Sequence, residues 1–358
     1  MRRYWLAVAA ATFVSACNGN PWIDSEGGGG VDSGIPAELL SDLESVSYNP
    51  VAQTLSVNSV SLDGDWLAIG AWHEDQGGSN AGAAYMFRYN GAAWVQDQKL
   101  LAPDASAADD FGRYVSLSGE RVLIGAWKED QGGADAGAAY IYRYNGAEWI
   151  FEQKLVAFDA SGGDFFGWVT ALQGNVAVVG AYQADDQGTD SGAVYIYRHD
   201  GASWVFEQKL LASDGVAQDW FGYSLSMSGD RLAVAALVGP AGSGSGYGYI
   251  FRHDGSQWVE KQKLQPSDGA DQDKFGFQLA LSEGVLLSGS WRDDDAGPDT
   301  GSAYFFRCTT LVPEPPGAWD AIGRLSKKLG LGFGITPAPG LGAGSVPGPG
   351  VGTDAGCW

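Results

Sequence analysis

The sequence predicts an all-β fold: a β-propeller of four-stranded antiparallel blades, built from five repeats of about 55 residues. Three observations carry this. Tyrosine recurs at Tyr85, Tyr140, Tyr195, Tyr249 and Tyr304, and tryptophan at Trp94, Trp149, Trp204 and Trp258, always 54 or 55 residues apart. Phe-Gly pairs at Phe111-Gly112, Phe166-Gly167, Phe221-Gly222 and Phe275-Gly276 keep the same interval. The 54 glycines and 12% aromatic residues suit many short strands joined by turns, and fit neither a helical nor a disordered chain.

The second copy shows the unit. Its first strand, Phe111 to Leu117, places apolar residues at Phe111, Val115 and Leu117, and Ser118-Gly119-Glu120 turns the chain. Val122 to Gly125 is apolar throughout, so both faces of this second strand are expected to be buried. A loop from Trp127 to Ala136 leads to a third strand, Ala138 to Arg143. Asn145-Gly146 then predicts a two-residue hairpin turn with positive φ at both positions. The fourth strand, Trp149 to Leu155, ends in Glu-Gln-Lys-Leu, where Glu152 and Lys154 read as charges guarding an exposed edge. A single sheet of this size cannot bury both faces, whereas stacked copies bury the second and third strands between neighbours.

The ends of the array are less regular. The fifth copy stops at Arg307, after its third strand. Trp319 to Leu325 keeps the Trp-to-Leu spacing of a fourth strand, and residues near Glu38 to Ser45 offer another source. Trp319, Ile322, Leu325 and Leu329 also read as a short helix face stopped by Gly330. Past Leu331 the Gly/Pro-rich chain is expected to be disordered. At the start, Arg2 and Arg3 precede an apolar run, Leu6 to Val14, that is too short to span a bilayer. Val14-Ser15-Ala16-Cys17 follows and resembles a bacterial lipobox, which implies cleavage before Cys17 and a lipid on its thiol. Ordinary secretory cleavage near Ala16 is the alternative.

The expected organisation is a lipoprotein-type signal peptide (1–16), a flexible Gly-rich tether (17–36), a propeller (37–325, repeats within 54–307) and a Gly/Pro-rich tail (326–358). This places the protein in the bacterial cell envelope, held to a membrane by its N-terminal lipid only. Cys308 and Cys357 could close a disulfide in an oxidising compartment, remain thiols, or pair between molecules.

The repeat markers resemble the FG-GAP repeat, the type that builds the N-terminal propeller of integrin α chains and many bacterial exported proteins. The Phe-Gly pairs match the FG, and Gly70-Ala71, Gly125-Ala126 and Gly180-Ala181 match the GA, with Ala235-Ala236 and Gly289-Ser290 as degraded copies. Trp72, Trp127, Tyr182, Leu237 and Trp291 stand where the family has proline, and the first copy has Ser56-Val57 in place of FG. The resemblance covers roughly Thr54 to Arg307. It implies a propeller used for adhesion or ligand binding, and it implies no reaction.

Strand direction sorts the charges. The loops between second and third strands, and the linkers between copies, leave the same end of each sheet. About half of the 43 acidic residues fall there, with Lys128, Lys274 and Arg292 as the cations in the same segments. The net charge of −22 argues against nucleic acid as a partner. Loop carboxylates Asp75, Asp130, Asp135, Asp186, Asp190, Asp293, Asp295 and Asp299 are candidate calcium ligands, since calcium takes six to eight oxygens. Linker pairs such as Asp104 with Asp109, and Asp214 with Asp219, could instead cap their own turns.

Trp72, Trp127, Tyr182 and Trp291 enter the acidic loops from the second strand, where aromatic faces suit sugars or cations. Arg113, Trp168, Tyr223 and Phe277 share one repeat slot in the first strand and join them as ligand-binding candidates. Packing between blades is the competing role. His199 and His253 occupy the slot of Tyr89 and Tyr144, and no Ser/His/Asp set, His/Cys metal set or phosphate loop breaks the repeat, so no catalytic residue is assigned. The arginine ending every third strand (Arg88, Arg143, Arg198, Arg252, Arg307) reads as a shared structural ion pair. The sequence thus points to a binding module for a surface protein or glycan. A carbohydrate-active enzyme using two loop carboxylates, or a structural envelope component, are the alternatives.

Overall fold

A computed structural model describes residues 57–239, 241–294, 300–308, 319–328 and 331–336. Every regular element among them is a β-strand. The first sheet contains β1 (Val57–Asp63), β2 (Trp66–Ala71), β3 (Ala83–Tyr89) and β4 (Trp94–Leu100). The second contains β5 (Val115–Ser118), β6 (Arg121–Ala126), β7 (Ala138–Tyr144) and β8 (Trp149–Leu155). The third contains β9 (Val169–Gln173), β10 (Val176–Ala181), β11 (Ala193–His199) and β12 (Trp204–Leu210). The fourth contains β13 (Phe221–Ser228), β14 (Arg231–Ala236), β15 (Tyr247–His253) and β16 (Trp258–Leu264). The fifth contains β17 (Phe275–Ser282), β18 (Val285–Ser290), β19 (Ser302–Cys308), β20 (Trp319–Lys328) and β21 (Leu331–Thr336). All five are antiparallel meanders in chain order, the blade type of a β-propeller. The chain divides into two compact units: one ends at Leu211 and holds the first three sheets, the other begins at Ala212 and holds the last two.

Within each unit the core lies between consecutive sheets. Met86 and Leu100 of the first sheet pack with Phe111, Ile124 and Tyr140 of the second. Leu123 and Ile141 point the other way and pack with Val179 and Tyr195 of the third. Neighbouring residues of one apolar strand therefore serve two different cores, which is why the second strands show no polar alternation. In the second unit, Ile250 packs with Phe275, Leu286 and Tyr304. Burying one such side chain is worth about 1.5–3 kcal/mol.

Two sets of polar bonds repeat between sheets. On the first strands, Ser59 and Ser61 accept from the backbone N–H of Val115 and Leu117, and Ser116 and Ser118 accept from Leu172 and Gly174. Ser224 and Ser226 do the same for Leu279 and Leu281 in the second unit. These serines satisfy donors of an inner strand that has no ladder partner on that side. On the fourth strands, the Gln98 amide accepts from Trp149 N at 2.7 Å and donates to Trp149 O at 2.9 Å, and Gln153 holds Trp204 the same way.

The backbone departs from the expectations in three places and decides between two of them in a fourth. The first strand of the second sheet begins at Val115, not Phe111, whereas Phe221 and Phe275 do open β13 and β17. The hairpin at Asn145-Gly146 is a four-residue loop in which only Gly146 has positive φ; the Asn145 side chain instead accepts from the N–H groups of Ala147 and Glu148. Trp319–Lys328 is a strand paired with β19, so the C-terminal side supplies the fifth sheet's fourth strand and the helix reading falls. Leu331–Thr336 pairs with β20 as a further strand, where disorder was expected. Residues 38–45 lie outside the described residues.

Glycine is required where sheets meet. A Cβ on Gly125 would lie 1.9 Å from the carbonyl oxygen of Gly167, and one on Gly70 would lie 2.0 Å from that of Gly112. The GA glycine of one copy is thus the seat for the FG glycine of the next.

Candidate binding site at the loop end of the sheets

The loops after β2, β6 and β10 and the linkers between sheets meet at one end of the first unit, as strand direction requires. Lysines from the fourth strands tie them together. Lys154 reaches linker Asp104 at 2.6 Å and loop Glu129 at 2.8 Å. Lys209 binds linker Asp159 at 2.8 Å and, since Ala184 occupies the glutamate slot, turns to Asp186. Lys99 pairs with Glu74. In the second unit, Lys263 holds Asp214 at 2.8 Å. Sequence reasoning missed these cations and took Lys154 for an edge guard; it is a strap, and its chain signal was the Gln-Lys-Leu that ends the fourth strand in each of the first four sheets.

Each linker carboxylate has a second partner. Tyr140, Tyr195 and Tyr249 donate to Asp104, Asp159 and Asp214 at 2.8, 2.9 and 2.8 Å, and the Tyr304 hydroxyl lies 3.0 Å from Asp268. Burial alone would raise the Asp104 carboxyl, but the Lys154 and Tyr140 hydrogen bonds outweigh it and hold it below the usual range. The same balance lowers Asp159. Asp109, Asp164, Asp219 and Asp273 cap the linkers, accepting from the N–H of Ser106, Ser161, Val216 and Ala270. Asp109 is buried beside Glu129, Asp130 and Asp104; burial first, and then these charges, push it up to about 6.

Of the proposed calcium ligands, Asp75, Asp130, Asp186 and Asp293 carry bonds on their carboxylates. Asp75 and Asp130 accept from the N–H of Asn80 and Asp135 at 2.8 Å, and Asp185 accepts from Asp190. Asn80, Asp135 and Asp190 sit in the left-handed region at φ 54–56°. Asp186 is strapped by Lys209, and buried Asp293 accepts from the Tyr304 hydroxyl. Among the described residues, no three His, Cys, Asp or Glu side chains converge to hold a metal ion. Asp295 and Asp299 lie outside the described residues, as do Cys17 and Cys357; Cys308 is buried at the end of β19.

The aromatic candidates gather into one cluster in each unit. In the first, the Arg113 guanidinium lies between Trp72 (5.1 Å) and Trp168 (4.3 Å). Trp168 meets Trp127 edge-on at 5.0 Å and Tyr182 at 4.6 Å. Phe165, which the sequence did not single out, fills the gap between Trp127 and Tyr182. Lys128 covers Trp127 at 4.4 Å and pairs with buried Asp110 at 3.0 Å. Trp168 and Tyr182 are 8% exposed, and burial raises the Tyr182 hydroxyl to about 12. In the second unit, Tyr223 packs between Trp220 and Phe277, Phe277 touches Trp291 at 6.0 Å, and Arg292 covers Trp291 at 4.6 Å. These rings stack on one another and on their own cations; in the same loops and linkers Asp75, Asp130, Asp186, Asp271 and Asp294 are exposed.

Sheets zipped by a repeated set of serine, glutamine, lysine and tyrosine contacts, with strapped acidic loops at one end, define a repeat protein of β-propeller type. Comparison with known families matches the FG-GAP repeat at residues 57–87, 94–142, 149–197, 204–251 and 258–306, together well over half of the chain. The chain belongs to the FG-GAP repeat family. Such repeats usually serve as interaction modules. No curated protein matches it. The matched segments are out of phase with the sheets: from the second onward, each begins with the fourth strand of one sheet and ends with the third strand of the next.

Proposed function

We propose that the protein is an exported, lipid-anchored binding module that engages a surface protein or glycan through its acidic loop end. The observation that carries this reading is the strapping itself. Lys154 and Lys209 fix loop and linker against each other, so the exposed carboxylates stand on a rigid frame. A pre-organised charged surface loses little entropy on binding and selects partners by complementarity. Export rests on the apolar run from Leu6 to Val14, and anchoring on Cys17 of the lipobox-like segment.

The test is binding of the full chain, and of an Asp75→Asn, Asp130→Asn, Asp186→Asn variant, to immobilised basic proteins and to a glycan array. Saturable binding that weakens in the variant supports the loop end as the binding surface. Binding that ignores all three changes removes it. A panel of chromogenic glycosides run alongside separates module from enzyme: turnover abolished by a single Asp→Asn change would replace this reading with a hydrolase.

A further inference from the structure

The first copy breaks the repeat at the opposite, hairpin end of its sheet. In every sheet a β-bulge between third and fourth strands inserts one extra residue and re-aims its side chain. In the third sheet that residue is Glu207, which is hydrogen-bonded to Arg198, the arginine that ends the third strand; in the second it is Glu152, which takes Arg121 at 2.8 and 3.1 Å and has Arg143 at 3.4 Å. In the fourth sheet Arg252 pairs with Asp230 at 2.7 Å. In the first sheet the bulge residue is Asp97, one methylene shorter, and no carboxylate among the described residues pairs with Arg88.

Arg88 rests instead on two aromatic faces, Trp66 at 5.1 Å and Tyr144 at 5.9 Å, with its fork of donors exposed. It lines an open groove of about 740 Å³ with Asp65, Tyr89, Asn90, Gln96 and Asp97. Gln96 is a second break, since Phe151 and Phe206 hold that slot in the next two copies. Asn90 uses its carbonyl to close the hairpin, accepting from Ala92 and Ala93, which leaves its amide hydrogens for the groove. The Tyr89 ring is 39% exposed and backed by Trp94 at 5.5 Å.

We propose that this groove binds a neutral oligosaccharide. Its chemistry mixes planar donors (Arg88, Asn90, Gln96) with planar acceptors (Asp65, Asp97) beside an exposed aromatic face. That combination matches the paired donor and acceptor character of sugar hydroxyls and the apolar face of a pyranose ring. One guanidinium against two carboxylates, on a chain of net charge −22, disfavours a uronate or phosphate. In the second, third and fourth copies a carboxylate reaches the corresponding arginine, which sets the first copy apart from them. The groove is separate from the acidic loop end and does not rest on the function proposed for that surface.

The test is titration of the full chain with neutral hexaoses (cello-, malto- and xylo-) and with a galacturonate oligomer, read by calorimetry. At least one neutral hexaose is expected to bind in the high-micromolar to millimolar range, and the galacturonate more weakly. Arg88→Gln should weaken binding at least tenfold. Asp97→Glu should weaken it as much while leaving the melting temperature equal or higher, because the longer carboxylate recreates the pair seen between Arg198 and Glu207. Arg143→Gln should leave binding unchanged. No binding by any neutral hexaose, preference for the galacturonate, or binding indifferent to Arg88→Gln and Asp97→Glu would overturn the proposal. Loss of binding only in the Asp75/Asp130/Asp186 variant would move the sugar to the loop end and overturn it too.

Discussion

Tyr140 donates its phenolic hydrogen to Asp104 at 2.8 Å, across 36 residues of chain. The tyrosine ring is fully buried in the core between the first and second sheets, while the aspartate sits in the linker that joins them. The bond therefore fixes the point where one sheet hands over to the next, and Lys154 completes it from the other oxygen. Tyr140→Phe keeps the ring and loses one hydrogen bond, so a cost of about 1 kcal/mol is expected in chemical denaturation. Asp104→Ala should cost more, about 2 kcal/mol, because it leaves a buried hydroxyl without its acceptor. Equal effects of the two changes would show that the hydrogen bond is not what the linker depends on.

Burial and three neighbouring carboxylates raise Asp109 to about 6, from an ordinary value of 3.8. A raised acid binds its proton more tightly folded than unfolded. Its contribution favours the fold fully below about pH 4 and is lost as pH climbs to about 6. Asp109→Asn keeps an acceptor for the Ser106 N–H and removes the charge. The variant should be more stable than the parent by about 1 kcal/mol at pH 7, and the difference should vanish near pH 4. Asp104 and Asp159 work in the opposite sense: their lowered values add stability above the ordinary carboxylate range that is lost as pH falls through their folded values. Thermal melts from pH 3 to 8 read both.

The seat between the GA and FG glycines leaves no room for a side chain. Gly125→Ala would place a methyl 1.9 Å from a backbone oxygen, so the second and third sheets must part or the strand must shift. A loss of about 3 kcal/mol or more is expected, enough to lower soluble yield. The natural alanine at Ala235 shows the alternative: a Cβ on Gly276 would lie 2.8 Å from the Ala235 methyl, so the fourth and fifth sheets meet differently there. Ala235→Gly should therefore change stability by less than about 1 kcal/mol.

Gln153 holds both backbone groups of Trp204 from the preceding sheet. Gln153→Leu preserves bulk and removes both bonds. A loss of about 1–2 kcal/mol follows, with faster amide exchange at Trp204 as the local signature. Unchanged exchange at Trp204 would mean the clamp is redundant.

Much of this architecture was legible because the chain states it five times. The fourth strands of the second and third sheets, Trp149 to Leu155 and Trp204 to Leu210, agree with the structure to the residue. The unbroken apolar run Val122 to Gly125 correctly announced burial on both faces. What repetition could not reveal is which copy a polar side chain addresses. Glu152 and Lys154 look like edge charges in one copy; only the stacking brings Glu152 to the Trp204 indole and Lys154 to Asp104. The hairpin at Asn145 was misread for a local reason, since a side-chain carbonyl accepting two N–H groups substitutes for positive φ. The aromatic candidates lie near one another within each unit, but spacing along a strand cannot tell an open platform from rings that cover each other, as Trp168 and Tyr182 do.

The phase difference between the matched segments and the sheets bears on how such a chain lengthens or shortens. A duplicated segment running from Trp149 to Tyr197 would deliver an outer strand to the sheet before it and three inner strands to a new sheet. That new sheet would draw its own outer strand from the next segment along. Copies can thus be inserted or lost in the interior without leaving a ragged sheet, and any mismatch is carried to the last copy. In this chain the debt falls on the fifth sheet, where β20, a strand outside every matched segment, settles it.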